Sequence, residues 1–199
     1  MQSFIQSLSK ESFLRTFVEY YSQREESPMQ YIFASALHCM TTLAGRKCSV
    51  ALGSKKVYLP LYLILVGRSG FMRKTSALYC AQENILAVDP SLTFPSDGIS
   101  AGAFFDILVR KPHRSAICTE LRQLIPHNSK ITDTRLIPLL TNLADCPSRI
   151  SFSYKNRSVV GEFAKEVSVK EPYFTLLGAT TIEWFDIDPS DIAGGFMGR

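Results

Sequence analysis

The stretch LYLILVGRSGFMRKTSALYCA, from Leu61 to Ala81, runs from an apolar segment through a turn with two glycines into a Lys-Thr pair and a helical pattern. A phosphate-binding loop needs those parts in that order. A strand delivers the chain to a sheet's carboxyl edge, and a turn converges backbone N–H groups on the anion. A lysine then serves the outer phosphates, and a hydroxyl at the helix N-terminus serves Mg2+. Gly67, Ser69, Gly70, Lys74 and Thr75 supply them. Lys74 stands one residue farther from Gly67 than in the usual G-x-x-x-x-G-K-[ST], and Arg73 occupies the site of the last glycine. The extra residue falls in GFMRK, so the turn is expected to be wider there and to do without glycine's freedom. An ordinary strand-turn-helix with a basic tip would fit the same letters.

Within SAICTELRQL, Glu120 stands at the carboxyl end of an expected strand. Hydrolysis of a nucleoside triphosphate requires a carboxylate at the end of a neighbouring strand, to hold the metal's water or polarise the attacking one. Usually two acidic residues stand together; here the first is Thr119.

The elements that must position these residues follow from hydrophobic spacing. Phe13, Leu14, Phe17, Val18 and Tyr21 predict an amphipathic helix. ESPMQYIFASALHCMTTLAGRK predicts a helix buried on most sides, with Ser27 as N-cap, Pro28 at the first helical position and Gly45 as the stop. CSVAL, the turn GSKK and VYLPLYLILVG predict a hairpin whose second arm continues past Pro60 into a buried strand over 61–66. Further expectations are a helix from Lys74 to about Val88, a short strand in PSLTFP, a helix starting near Ser100, and a strand ending at Glu120. TDTRLIPLLTNLAD reads as a helix, RISFSYKNRSVVGEF as a hairpin around a polar tip, and PYFTLLGATT as a buried strand ending in a Gly-Ala-Thr-Thr turn. Strands alternating with helices indicate an α/β layer fold with a largely parallel sheet.

On LVGRSGFMRKTSAL, FPSDGISAGAFFDIL, ICTEL, FTLLGATTIEWF and DIAGGFMGR, the chain resembles RecA-like P-loop ATPases of primase-helicase and replication proteins from phages, plasmids and mobile elements. Arg-Lys-Thr/Ser in place of Gly-Lys-Thr/Ser is a habit of that family, and the likeness covers roughly residues 30–199. It implies a P-loop NTPase core over 47–199, preceded by an N-terminal helical segment over 1–46, that binds ATP and Mg2+. Gly67, Arg68, Ser69, Gly70, Phe71, Met72, Arg73, Lys74, Thr75 and Ser76 would form the nucleotide loop, with Lys74 on the β- and γ-phosphates. Thr75 and Glu120 would serve the metal, and Glu120 would activate water. Thr180 or Thr181 would be the polar sensor beside the γ-phosphate, on a strand between the two motif strands. Arg199, in GGFMGR, would be an arginine finger or sensor, and a finger supplied in trans implies a homo-oligomeric ring or filament.

A motor on single-stranded DNA, or on DNA generally, must also grip its track, and SYKNRS offers Tyr154, Lys155 and Arg157 as stacking ring and phosphate-binding charges. RKPHRS, with Arg110, Lys111, His113 and Arg114, reads instead as a solvated loop away from the nucleotide. His38 and Cys39 are adjacent in a helix and point in different directions, so they read as structural. No G-x-S-x-G occurs.

The whole-chain properties set the frame. The 199 residues, 46% hydrophobic, suit one globular domain, and a formal charge of +4 falls short of a nucleic-acid-coating protein. Five scattered cysteines without a C-x-x-C pair suit buried thiols in a reducing, cytoplasmic setting. The N-terminus lacks a secretory pattern, and the most apolar run is too short to span a bilayer, so no membrane role is expected. The abrupt end at AGGFMGR reads as the truncation of a longer protein. The expected function is the ATPase motor of a replication helicase or primase-helicase. A nucleotide-dependent switch with slow hydrolysis is the alternative, suggested by Thr119 and the unusual loop. A small-molecule kinase is a third reading, weakened by the lack of a lid and by the GATT segment.

Overall fold

The computed structural model describes residues 1–94, 99–124, 136–154 and 165–183. Helices α1 (Gln2–Ser7), α2 (Phe13–Ser22) and α3 (Met29–Ala44) precede a small hairpin, β1 (Val50–Leu52) and β2 (Lys55–Val57). Then come β3 (Tyr62–Val66), α4 (Lys74–Val88), β4 (Thr93–Phe94), α5 (Ala101–Arg110), β5 (His113–Cys118), α6 (Leu121–Leu124) and α7 (Leu136–Ala144). A second hairpin, β6 (Arg149–Tyr154) and β7 (Lys165–Lys170), leads into β8 (Tyr173–Thr180).

Four strands form an all-parallel sheet in the order β3-β8-β5-β4. The last of the described strands in sequence is thus inserted between β3 and β5. All eight residues of β8 are buried, as a strand covered on both faces and paired on both sides must be. Alternation along it divides the core. Phe174 and Leu176 join Ala116, Phe104, Phe105, Leu140 and the second hairpin on one side. Leu177 and Ala179 join α1 to α4 on the other. The molecule is therefore an α/β sandwich with helices on both faces of a parallel sheet.

Buried polar groups on the α3 face pair with one another. His38 Nε2 lies 2.8 Å from Ser115 Oγ on β5, and Thr42 Oγ1 lies 2.7 Å from Thr175 Oγ1 on β8. Burial pushes His38 down to about 3, so the ring is neutral at physiological pH, in keeping with a structural role. Cys39, Cys80, Cys118 and Cys146 are buried free thiols, whereas Cys48 is exposed. Among the described residues no helix is long and apolar enough to cross a membrane.

Several local expectations need correction. Ser27 does not cap α3: Pro28 holds that position without a side-chain cap, and the Ser27 hydroxyl donates to the Arg73 carbonyl at 2.8 Å instead. The first hairpin turns on Gly53 and Ser54 alone, Lys55 and Lys56 being in β2. That hairpin is a separate two-stranded sheet, and its second arm does not run on into β3. The later hairpin pairs Arg149–Tyr154 with Lys165–Lys170, while most of the expected tip and the SVVGEF arm lie outside the described residues. Gly178 and Ala179 belong to β8 rather than to a turn. A Cβ at Gly178 would stand 2.9 Å from Leu121 Cδ1, so glycine there lets α6 lie against the sheet.

The basic cluster at the amino edge of β5 is engaged, not merely solvated. Lys111 pairs with Asp89 at 3.0 Å and bonds Ser91, and Arg114 donates to the Ser91 carbonyl. Hydrogen bonds from Ser91 and Lys111 draw the Asp89 carboxyl down to about 2.

His38 links stability to pH. Its folded value lies below the ordinary 6.5, so the unfolded chain takes up a proton that the folded chain refuses. The stability it confers is complete above 6.5 and is lost as pH falls toward the folded value. Urea unfolding at a series of pH values should show a shallower acid loss in His38→Gln than in wild type, by up to about 1.4 kcal/mol per pH unit.

Candidate functional site

β3 delivers the chain to the carboxyl edge of the sheet at Val66, and α4 starts at Lys74. Between them the turn is fixed from three sides. Gly67 N donates to the Thr180 carbonyl of β8 at 3.3 Å. The Tyr31 hydroxyl of α3 donates to the Val66 carbonyl at 2.6 Å. A Cβ on Gly67 would fall 2.6 Å from that hydroxyl and 3.0 Å from Met72 Cγ, so only glycine admits both neighbours. The third fixed point is Arg73, which enters α4 in the left-handed region with φ 44° and ψ 37°. This is where the more usual loop has glycine, and a side chain there costs about 1 kcal/mol. The Ser27 hydroxyl on the Arg73 carbonyl and an ion pair from Arg73 to Glu26 at 3.0 Å hold it. Both partners of that ion pair are exposed, so the hydroxyl contributes the firmer restraint.

Lys74 folds back over the turn, its Nζ donating to the Gly67 carbonyl at 2.6 Å and the Arg68 carbonyl at 3.2 Å. The ammonium is thus held at the mouth of the loop, beside the N-terminus of α4. Thr75 and Ser76 occupy the first turn of that helix. A neighbouring strand brings Thr119 and Glu120, both exposed, immediately past the end of β5. Between these two units, β8 ends at the buried Thr180, followed by Thr181.

Lys74, Thr75, Ser76, Glu120, Thr180 and Thr181, together with Ser69, Gly70 and Arg73 of the loop, border one cleft of about 580 Å3. Such a volume is in the range of pockets that hold small organic ligands. The remaining loop residues are not at its border. Gly67 lies beneath the turn, Arg68 offers a carbonyl to Lys74, Met72 packs beside Gly67, and Phe71 is 87% exposed. Tyr154 ends β6, in the separate two-stranded sheet and not among the residues bordering the cleft, and Lys155, Arg157 and Arg199 lie outside the described residues.

The donors at the cleft are hydroxyls and a carboxylate, which suit a hard cation that keeps most of its water. Among the described residues no three His, Cys, Asp or Glu side chains gather as a ligand cluster.

Sequence reasoning missed four contributors. Glu26 and Tyr31 act on the loop from far upstream, where no local spacing marks them. Tyr79, one turn beyond Thr75 on α4, borders the cleft and was discoverable from that spacing. Glu183 stands just past Thr181. Hydrogen bonds from its own amide and from the Thr181 side chain, with Arg68 and Lys74 nearby, hold its carboxyl below the usual range.

Two substitutions test how the turn is held. Arg73→Gly removes the left-handed strain at the cost of an exposed ion pair, and should stabilise the chain by about 0.5–1 kcal/mol in urea unfolding. Tyr31→Phe leaves the Val66 carbonyl without its donor and should destabilise it by about 1 kcal/mol. In comparison with known proteins, the chain matches no family model and no curated protein.

Proposed function

We propose that the cleft binds ATP with Mg2+ and hydrolyses it, and that the chain is the P-loop motor core of a replication helicase or primase-helicase of a phage or mobile element. The observation that carries this reading is the strand order. With β8 between β3 and β5, the Lys74–Thr75 helix start, the Thr180–Thr181 strand end and Glu120 lie side by side at one carboxyl edge. Those are the parts that phosphoryl transfer to water requires.

Each group has a task its chemistry suits. Phosphate oxygens replace the Gly67 and Arg68 carbonyls as acceptors for Lys74, exchanging neutral partners for charged ones. Amides at the start of α4 face the same anion, with the helix dipole behind them. Thr75 and Glu120 would hold the cation and its water, and the cation would neutralise charge on the β- and γ-oxygens. Glu120 orients the attacking water, and Thr181 donates to the terminal phosphate. Coupling to single-stranded DNA and assembly into a ring or filament, with Arg199 reaching a neighbour, rest on the family resemblance.

One observation favours the second reading, a switch that binds ATP and hydrolyses it slowly. Beside Glu120 the exposed Thr119 presents a hydroxyl where the usual site has a second carboxylate. Turnover with and without single-stranded DNA separates the two, since a motor is stimulated by its track and a switch is not.

Titration of Mg·ATP into the wild-type chain and Lys74→Ala should show binding weakened roughly 10- to 100-fold by the substitution. Equal affinity in the two would sink the reading. Glu120→Gln should keep the binding and lower turnover by at least about 100-fold, measured as phosphate release.

A further inference from the structure

The residues at the cleft that handle phosphate account for one end of a nucleotide. Tyr79 borders the same cleft. It lies four residues after Thr75, on the same face of α4 and about 6 Å farther along its axis. Among the described residues it is the one aromatic that borders the cleft.

The fold itself does not ask for a tyrosine there. Ala77, Leu78, Cys80 and Ala81 bury the core side of α4 almost completely, while Tyr79 is 50% exposed. A large aromatic ring half open to water beside a polar cleft offers apolar surface to a ligand there. Nucleobases seek such faces, because each has a π surface of its own whatever its hydrogen-bonding edge.

Resting on the nucleotide reading above, we infer that Tyr79 is the platform on which the base of the bound nucleotide stacks. It thereby makes the site one for nucleosides rather than for bare polyphosphates. The ring acts by its face, so it does not distinguish adenine from guanine; ATP and GTP depend on it alike. Its contribution is to affinity, and the phosphate chemistry at Lys74 and Glu120 proceeds without it.

The test is calorimetric titration of the wild-type chain, Tyr79→Ala, Tyr79→Leu and Tyr79→Phe with Mg·ATP, Mg·GTP and Mg·tripolyphosphate, with Lys74→Ala titrated alongside. Tyr79→Ala should weaken ATP and GTP about tenfold, as loss of a stacking ring does, and leave tripolyphosphate unchanged. Tyr79→Leu, which keeps apolar volume on the helix without the aromatic face, should behave as the alanine variant does. Tyr79→Phe should bind as wild type. Tripolyphosphate weakened as much as ATP would make Tyr79 a prop for the loop and overturn the inference. Unchanged ATP affinity in the alanine and leucine variants, with binding lost in Lys74→Ala, would overturn it too while leaving the triphosphate site intact. Failure of the wild-type chain to bind any of the three ligands would remove both.

Discussion

The site depends on the docking of α3 against the turn and α4. Side chains at four-residue steps, Ser27, Tyr31, Ser35 and Cys39, present one row of hydroxyls and a thiol along that contact. Three of them reach successive turns of the neighbouring segment, donating to the carbonyls of Arg73, Ala77 and Ala81, and Tyr31 reaches Val66 at the end of β3. The row satisfies buried or half-buried backbone acceptors. The helix that bears the row is thus part of the scaffold of the loop.

The second organising feature is β8. A strand buried over its whole length has no solvent face, so its composition is nearly free of charge, and its two faces serve two separate cores. Its insertion between β3 and β5 determines what lies beside the turn. The Thr180 carbonyl anchors Gly67, and the next residue, Thr181, borders the cleft. Chemistry contributed by residues more than a hundred positions apart is thereby collected at one edge, as open parallel sheets commonly do.

What could be read from the sequence was what local signals carry. The apolar run before Gly67, the Lys-Thr pair and the helical spacing after it specified β3, the turn and both ends of α4. Ser100 announced α5 and does cap it, donating no proton but accepting one from the Ala103 amide. Ser27 looked equally like a cap and is not one, because the carbonyl of Arg73, distant in sequence, takes its hydroxyl. The same limit applies to Lys111 and Arg114, whose charge suggested solvent until Asp89 and the carbonyl of Ser91 supplied partners. Gly178 signalled a turn by composition, whereas the reason for it is the approach of Leu121 from a different element. Tyr79 was missed for another reason: its four-residue step from Thr75 placed it on the same face of α4, a signal that the sequence reading left unused.

The left-handed residue at the head of α4 has a consequence for the order of folding. A glycine in that place would let the turn close on local contacts alone. Arginine adopts the conformation only with outside support, and the supporting hydroxyl sits 46 residues earlier in the chain. Closing so long a loop costs entropy before any contact repays it, so contacts of this span form late on the folding path. The packing of α3 on α4 closes a loop of nearly the same length, so the turn sets together with that packing. In this chain the geometry of the turn is a product of the finished tertiary structure, not a seed around which the structure grows.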